Sequence, residues 1–238
     1  MKILGLDTAT ENCSAALLID GDLSARDEQL ERGHAERILF MLEELLGEAA
    51  LAPEALDAIA FGRGPGTFTG VRLAASVTQG IAFGAGVGVV PVSDLRAVAQ
   101  RLLDASPAAG RILVCNDARM HEVYWGCFER GADGLAQAVA PERVGSPASI
   151  ALPAGWTGGV RGAGSGFGVY PELHRWLEGS SAAARSPGLL PRAAEIVRLA
   201  LPEVVAGRVL PAEQALPVYL RDDVVQPARD VVTKLTPI

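Results

Sequence analysis

The sequence predicts an α/β protein made of two blocks with the same order of elements. Each block opens with an apolar strand that ends on an aspartate, Asp7 in the first block and Asp117 in the second. Antiparallel strands joined by short turns follow in both blocks. The blocks share no close sequence repeat, so the prediction of a duplicated αβ unit depends on this shared order. A glycine-rich loop over residues 62–66 lies between a strand and a helix of the first block.

The first block alternates short strands with helices. Strands are predicted over residues 3–6, 13–20, 23–30, 56–61 and 87–92. Helices are predicted over residues 35–50, from Thr67 or Thr69 to Gly84, and over residues 95–103 after a cap at Ser93 and Asp94. The helix over residues 35–50 is apolar well beyond a normal stripe, which indicates burial on several sides or a face offered to a partner.

The second block follows a linker over residues 105–110. Strands are predicted over residues 111–117, 122–128 and 135–139, and helices over residues 146–152, 171–177 and 191–205, with a kink at Pro202. The sequence thus predicts an N-terminal lobe over residues 1–105, a C-terminal lobe over residues 106–206 and a surface tail over residues 207–238. The helix that starts at Pro191 could pack on either lobe.

The glycine loop is the most informative local feature. Gly64, Pro65 and Gly66 are incompatible with regular structure, because glycine permits positive φ and proline fixes φ and lacks a donor. A strand, a glycine loop and a helix in this order aim backbone N–H groups and the positive helix end at one point, which suits an anion. Asp7 could orient a metal ion or a phosphate at this point, or it could bond only to N–H groups of its own turn.

The helix after the loop is built from small residues, including Gly70, Ala74 and Gly80. Interior glycines cost a helix roughly 1 kcal/mol each relative to alanine. A helix that accepts this cost is usually packed closely against another backbone. The pattern fits a core helix of one domain and also a helix shared with a partner chain.

Composition limits the classes of function. A formal net charge of −7 in 238 residues is the wrong sign for a chain that binds nucleic acid by itself. The three cysteines show no CxxC spacing and fit buried thiols of a reducing compartment. No signal peptide and no apolar stretch of about 18 residues is apparent, so a cytoplasmic protein without a membrane span is expected.

The sequence does not match the common catalytic motifs. A P-loop needs a lysine after its glycines, and the two lysines, Lys2 and Lys234, are elsewhere. The tract over residues 162–168 fails the dinucleotide fingerprint because Phe167 stands where the third glycine belongs. The three histidines form no HxxxH or HExxH pair. Neither a catalytic residue nor a metal ligand is predicted.

Several stretches resemble the bacterial TsaB (YeaZ) family. Residues 64–72 read GPGTFTGVR and resemble the family signature GPGSFTGVR, with Thr67 in place of the usual serine. Residues 4–9 resemble the opening strand of the family, residues 90–95 the strand after the signature helix, and residues 217–221 its C-terminal PxYLR. These matches span nearly the whole chain in the expected order.

The resemblance implies an actin-like ATPase fold (ASKHA, ribonuclease H-like) with two similar lobes. It also implies a relationship to TsaD of the Gcp/Kae-like family, which transfers a threonylcarbamoyl group to the adenosine beside the tRNA anticodon. TsaD-type proteins hold a metal with a histidine pair on the helix that here carries Ser93, Asp94 and Arg96. The chain therefore resembles the non-catalytic relative, which binds TsaD and is joined by the ATPase TsaE. Alone, such proteins form homodimers, and tRNA is contacted only through the complex.

Two sets of residues follow as candidates. The nucleotide-type loop, functional or vestigial, comprises Asp7, Thr8, Gly64, Gly66 and Thr67. The partner interface comprises Ile38, Met41, Leu42, Leu45, Gly70, Val71, Ala74, Val77, Thr78 and Ile81. The leading hypothesis is a scaffold subunit of tRNA threonylcarbamoyladenosine formation that needs no cofactor. The alternative is a stand-alone enzyme, either a nucleotide hydrolase that binds ATP or ADP or a metalloprotease.

Overall fold

The computed structural model describes residues 1–156, 159–177, 185–186 and 188–221. The strands are β1 (Lys2–Asp7), β2 (Asn12–Ile19), β3 (Asp22–Gln29), β4 (Ala58–Gly62), β5 (Gly88–Val92), β6 (Arg111–Asp117), β7 (Val123–Arg130), β8 (Ala136–Ala138), β9 (Arg143–Gly145), β10 (Val160–Ala163) and β11 (Arg185–Ser186). The helices are α1 (His34–Glu48), α2 (Phe68–Ala85), α3 (Asp94–Ala105), α4 (Gly166–Val169) and α5 (Ala193–Val205).

The two sheets share one topology. The first has the order β3-β2-β1-β4-β5, and the second has the order β11-β10-β6-β7-β8, with β9 paired to β7. In each, the opening strand pairs antiparallel with the hairpin strand and parallel with a later strand. This repeated order confirms the predicted α/β fold with two similar lobes.

Helices cover both faces of the first sheet. Strand β1 alternates its side chains, so Leu4 and Leu6 contact the cluster formed with α1 and α2, while Ile3 contacts the cluster formed with α5. Helix α5, which the sequence leaves free to join either lobe, therefore packs on the first sheet. It buries Ile196 and Val197 there.

Helix α3 lies between the two lobes. Its Leu95, Val98 and Leu102 pack on Ile112 and Val114 of β6 in the second sheet. Its Ala97 belongs to the cluster between α5 and the first sheet. The helix therefore contributes to the cores of both lobes.

Several predicted elements are corrected. The short helix predicted over residues 146–152 is reduced to a single 3₁₀ turn, Pro147–Ser149, whereas the one predicted over residues 171–177 is present as a 3₁₀ helix, Pro171–Leu177. Strands β9, β10 and β11 and helix α4 were not predicted. Of the predicted tail, residues 207–221 pack on the body, where Leu210 pairs with Val89. Residues 222–238 lie outside the described residues. Within the described ranges, no helix has the length and apolar character needed to span a bilayer.

Candidate functional site

A cleft of about 450 Å³ lies between the two lobes. It is lined by the turns that follow β1 and β6, by the glycine loop and by residues 218–221. In open α/β sheets, ligands bind in the crevice outside the carboxyl ends of the strands. The cleft is therefore where the fold would place a ligand.

The glycine loop packs tightly against the turn after β1. A Cβ atom added at Gly66 would lie 2.5 Å from the backbone oxygen of Ala9, so no other residue fits without a shift. The N–H group of Thr67 donates to that same oxygen at 2.7 Å. The Thr67 hydroxyl accepts a hydrogen bond from the N–H group of Gly70 at 3.2 Å and so caps α2, as one of the two predicted cap residues.

The predicted loop residues divide into two groups. Gly66 and Thr67 line the cleft, whereas Asp7, Thr8 and Gly64 are buried and do not line it. The hydroxyl of Thr8 donates to the backbone oxygen of Gly70 at 2.7 Å, which anchors the first turn of α2.

Asp7 faces a second buried acid, Asp94, at the start of α3. Both carboxyl groups are fully buried, and a Cβ atom at Gly62 would lie 2.4 Å from an oxygen of each. Asp7 accepts a hydrogen bond from the N–H group of Ala9 at 2.9 Å, and Asp94 accepts one from the N–H group of Gly64. The second oxygen of each acid, Oδ2 of Asp7 and Oδ1 of Asp94, has no hydrogen-bond partner among the described residues.

Burial sets the charge of this pair. Burial raises the pKa of Asp7 to about 6. Burial, followed by the negative charge of Asp7, raises the pKa of Asp94 well above its usual range. The buried pair therefore binds protons more tightly than two exposed carboxyl groups would. The sequence showed Asp94 only as a helix cap, a role that belongs to Ser93, whose hydroxyl accepts from the N–H group of Arg96.

The second lobe contributes polar groups that sequence reasoning missed. Asn116 is only 4% exposed, and neither atom of its side-chain amide has a hydrogen-bond partner. The carboxylate of Asp117 accepts a hydrogen bond from the Tyr170 hydroxyl at 2.7 Å, and the Ser165 hydroxyl accepts one from the Asp117 N–H group at 3.1 Å. Asp117 is about 50 residues away in sequence from Ser165 and Tyr170, so no local pattern links these residues. The only signal in the sequence is the apolar strand that ends on Asn116 and Asp117.

The arginines that line the cleft are already paired with acids. Arg119 lies 3.2 Å from Asp117, and Arg221 pairs with Glu122. Glu11 adds a further acidic group to the lining. The described lining therefore offers hydrogen bonds to a polar group and no unpaired cation for a phosphate.

The predicted interface residues mostly lie inside the first lobe. Those that are buried in its core are Ile38, Met41, Leu42, Leu45, Gly70, Val71, Ala74 and Thr78, while Val77 and Ile81 are half-buried. The sequence predicts an interface on these two apolar helices, but most of the residues it names lie on their inward faces, because helical periodicity does not show which of two apolar faces points outward.

The outward faces of α1 and α2 carry large apolar side chains instead. Leu39 and Phe40 of α1 are 53% and 52% exposed, and Phe83 of α2 is 82% exposed. We call these three residues the docking ridge. A shallow groove of about 470 Å³ begins at Leu39 and extends to Leu51 and Ile81.

The small residues of α2 lie on two different faces of the helix. A Cβ atom at Gly70 would lie 2.1 Å from the backbone oxygen of Thr8, so this glycine permits close packing within the lobe. Nothing lies within 4 Å of a Cβ atom added at Gly80 or Gly84. These two glycines lie on the exposed side of α2, near Phe83.

Comparisons with known proteins were made on sequence and on structure. Residues 27–160 match the family model described as TsaD, tRNA N6-adenosine threonylcarbamoyltransferase. The proteins named tRNA threonylcarbamoyladenosine biosynthesis protein TsaB from Escherichia coli K12 and from Haemophilus influenzae are each 36% identical to the chain. The match covers 94% of this chain in both cases, and 96% and 95% of those proteins, respectively.

The solved structure of an uncharacterized Pseudomonas aeruginosa protein with similarity to peptidase YeaZ is 43% identical. It superposes with a TM-score of 0.85 over 92% of this chain and 99% of that one. A structure described as YeaZ from Pseudomonas aeruginosa gives a TM-score of 0.83 at 42% identity, over the same shares of the two chains.

Proposed function

The chain belongs to the TsaB family of tRNA threonylcarbamoyladenosine biosynthesis proteins, and we propose that it acts there as a non-catalytic partner subunit. In this role it binds and activates a TsaD-type transferase, and a TsaE-type ATPase joins the pair. Contact with tRNA is made through the complex, in keeping with the net charge of −7.

The docking ridge is the observation that carries this proposal. Phe83, Phe40 and Leu39 are large, exposed and apolar, and they lie on two helices that pack against each other. Apolar patches of this kind mark interaction sites on proteins that are otherwise well packed. Gly80 and Gly84 leave the exposed backbone of α2 open to close approach by a helix of another chain.

The same ridge supports the proposal that the chain forms a homodimer when its partner is absent. A second copy presents an identical apolar surface, and self-complementary patches form two-fold dimers. The homodimer and the complex with the TsaD-type protein then compete for one surface. Binding of the transferase displaces the second copy.

The start of α3 supports a non-catalytic role. Its residues make structural bonds at the positions where the resemblance places a histidine pair in TsaD. Ser93 caps the helix, Asp94 bonds to the glycine loop, and the Arg96 side chain donates to the backbone oxygen of Ala136 at 2.7 Å. Among the residues that the structure describes, no three His, Cys, Asp or Glu side chains are grouped to hold a metal ion.

Co-purification with the TsaD-type protein of the same genome tests the proposal. The wild-type chain is expected to form a 1:1 complex on sizing and to lose its homodimer. Phe83→Ser and Leu39→Ser should weaken the complex at least tenfold, because central apolar anchors are worth about 2 kcal/mol or more each. Val205→Ser is the matched control, since Val205 is 67% exposed at the end of α5 and outside the ridge. Wild-type binding by Phe83→Ser would show that α2 is not the interface.

An ATP-binding enzyme is the alternative that one observation favours. The unpartnered amide of Asn116 at the cleft could bond to a nucleotide base. Calorimetric titration of the isolated chain with ATP and Mg²⁺ separates the two functions. A saturable heat that is lost in Asn116→Ala would favour the enzyme, whereas no heat in the wild type favours the scaffold. No described arrangement of residues favours the metalloprotease.

A further inference from the structure

The mouth of the cleft is crossed by residues 218–221, here called the strap. These residues form one wall of the cleft together with elements of both lobes. The strap follows the segment in which Leu210 pairs with Val89 at the edge of the first sheet. The chain thus runs along the first lobe before it reaches the second.

The first half of the strap is fixed to the glycine loop and to α2. The N–H group of Val218 donates to the backbone oxygen of Arg63 at 2.8 Å. The Arg72 side chain donates to the Tyr219 hydroxyl at 2.7 Å. Its guanidinium carbon also lies 3.4 Å from the ring centre of Phe68, within the range of a cation–π interaction. Tyr219 is therefore held by two side chains of the first lobe, Arg72 and Phe68.

The second half of the strap is fixed to the turn between β6 and β7. The Arg221 guanidinium donates to the backbone oxygen of Ala118 at 3.2 Å and pairs with the carboxylate of Glu122. It also lies 3.7 Å from the sulfur of Met120. One side chain of the strap therefore contacts three residues of the same turn in the second lobe.

This turn has an uncommon backbone conformation. Arg119, Met120 and His121 have φ angles of 61°, 56° and 60°, which places three successive residues with side chains in the left-handed region. Each such residue costs free energy and persists only where its surroundings hold it. The bonds from Arg221 span this turn from Ala118 to Glu122 and supply part of that restraint.

We propose that the strap is a clasp between the lobes, in which Arg221 holds the β6–β7 turn against the first lobe and so sets the width of the cleft. Other contacts between the lobes run through the apolar packing of α3 and through Glu142, which lies 3.7 Å from Arg63 and bonds to Ser93. Packed helices can rotate or slide slightly within such a contact. Release of the clasp therefore opens the cleft without unfolding either lobe.

The chemistry of the clasp makes it adjustable. The side chains of Arg221 and Glu122 are 22% and 35% exposed, so salt screens the ion pair in part, though less than it would a fully exposed pair. The cleft should widen as ionic strength rises. A partner or ligand that supplies another acid to Arg221 would have the same effect.

Distance measurement between spin labels tests the clasp on the isolated chain. Labels are placed on cysteines introduced at Ser76 on α2 and Val169 on α4, which are both exposed. The native cysteines are buried and stay unlabelled in the folded protein. Arg221→Ala should lengthen and broaden the distance distribution, and Arg221→Lys should have a smaller effect because lysine lacks the planar fork.

Arg208→Ala is the matched control. Arg208 is another arginine of the C-terminal segment that pairs with a glutamate, Glu203, but that pair lies entirely on the first lobe. Its removal should leave the distances unchanged. Should Arg221→Ala fail to fold, Glu122→Gln removes the ion pair and retains the arginine. Distances equal to those of the wild type in a folded variant of either kind would overturn the proposal.

Discussion

The buried pair of Asp7 and Asp94 should make the stability of this protein depend on pH in an uncommon direction. Burial raises the pKa of Asp7 from 3.8 to about 6. The folded state therefore binds a proton more tightly than the unfolded state does, and the unfolded chain ionises first as pH rises. The contribution of Asp7 to the free energy of unfolding is complete below pH 4 and is lost as pH rises through 6.

The magnitude follows from the shift. About two pKa units at ~1.4 kcal/mol each correspond to about 3 kcal/mol. Asp7→Asn removes this ionisation and retains the geometry, because the amide oxygen accepts from the N–H group of Ala9 and the amide nitrogen donates to Asp94. The variant should be more stable than the wild type by up to about 3 kcal/mol at pH 8. The difference should shrink as pH falls below 6.

Urea unfolding of both proteins at several pH values between 5 and 8 measures this difference. Subtracting the wild-type curve from the variant curve cancels the titration of groups that do not interact with Asp7. The contribution of Asp94 does not cancel, because its pKa depends on the charge of Asp7. Asp22→Asn, at the exposed start of β3, controls for the loss of one negative charge. A variant that is less stable than the wild type at pH 8, or a difference that does not change across pH 6, would refute the account of the pair.

Two further predictions concern the first lobe and are measured by urea unfolding at pH 7. Gly70→Ala should destabilise the fold by about 2 kcal/mol, since the added Cβ atom meets a backbone oxygen at 2.1 Å. Gly80→Ala should stabilise the fold by about 1 kcal/mol, since alanine has the higher helix propensity and its Cβ atom meets no atom within 4 Å. Equal effects at Gly70 and Gly80 would contradict the conclusion that the small residues of α2 lie on two different faces. Thr67→Ala should cost about 1 kcal/mol through loss of the cap of α2, and Thr67→Ser should restore most of it. A cap variant as stable as the wild type would show that the bond to Gly70 adds nothing.

Local signals predicted those elements of the fold that local chemistry determines. The glycine loop, the Thr67 cap and the linker before β6 were read from residues that are adjacent in the chain. Strands β10 and β11 were missed because their sequences are short and carry no alternation. Their formation depends on partners far away, as when Val160 pairs with Arg111. No window of sequence contains both halves of that pair.

The candidate site was harder to predict for the same reason. Asp7 and Asp94 are brought together because β1 and β5 end at the same edge of the first sheet, on either side of β4. The sequence placed Asp7 at a strand end and Asp94 at a helix cap, but it could not pair them. The faces of α1 could not be told apart from the sequence, since both are apolar and only the packed lobe shows that Ile38 is inside and Phe40 is outside.

The glycine loop has the strand–loop–helix arrangement of a phosphate-binding loop, and its N–H groups form hydrogen bonds that stabilise the first lobe. The sequence predicts that its N–H groups converge on an anion. In the structure, three N–H groups of the loop and of α2 donate hydrogen bonds within the first lobe instead. The N–H group of Gly64 bonds to Asp94, that of Thr67 to Ala9, and that of Gly70 to the Thr67 hydroxyl. The loop thereby fixes the start of α2, whose outer face carries Phe83.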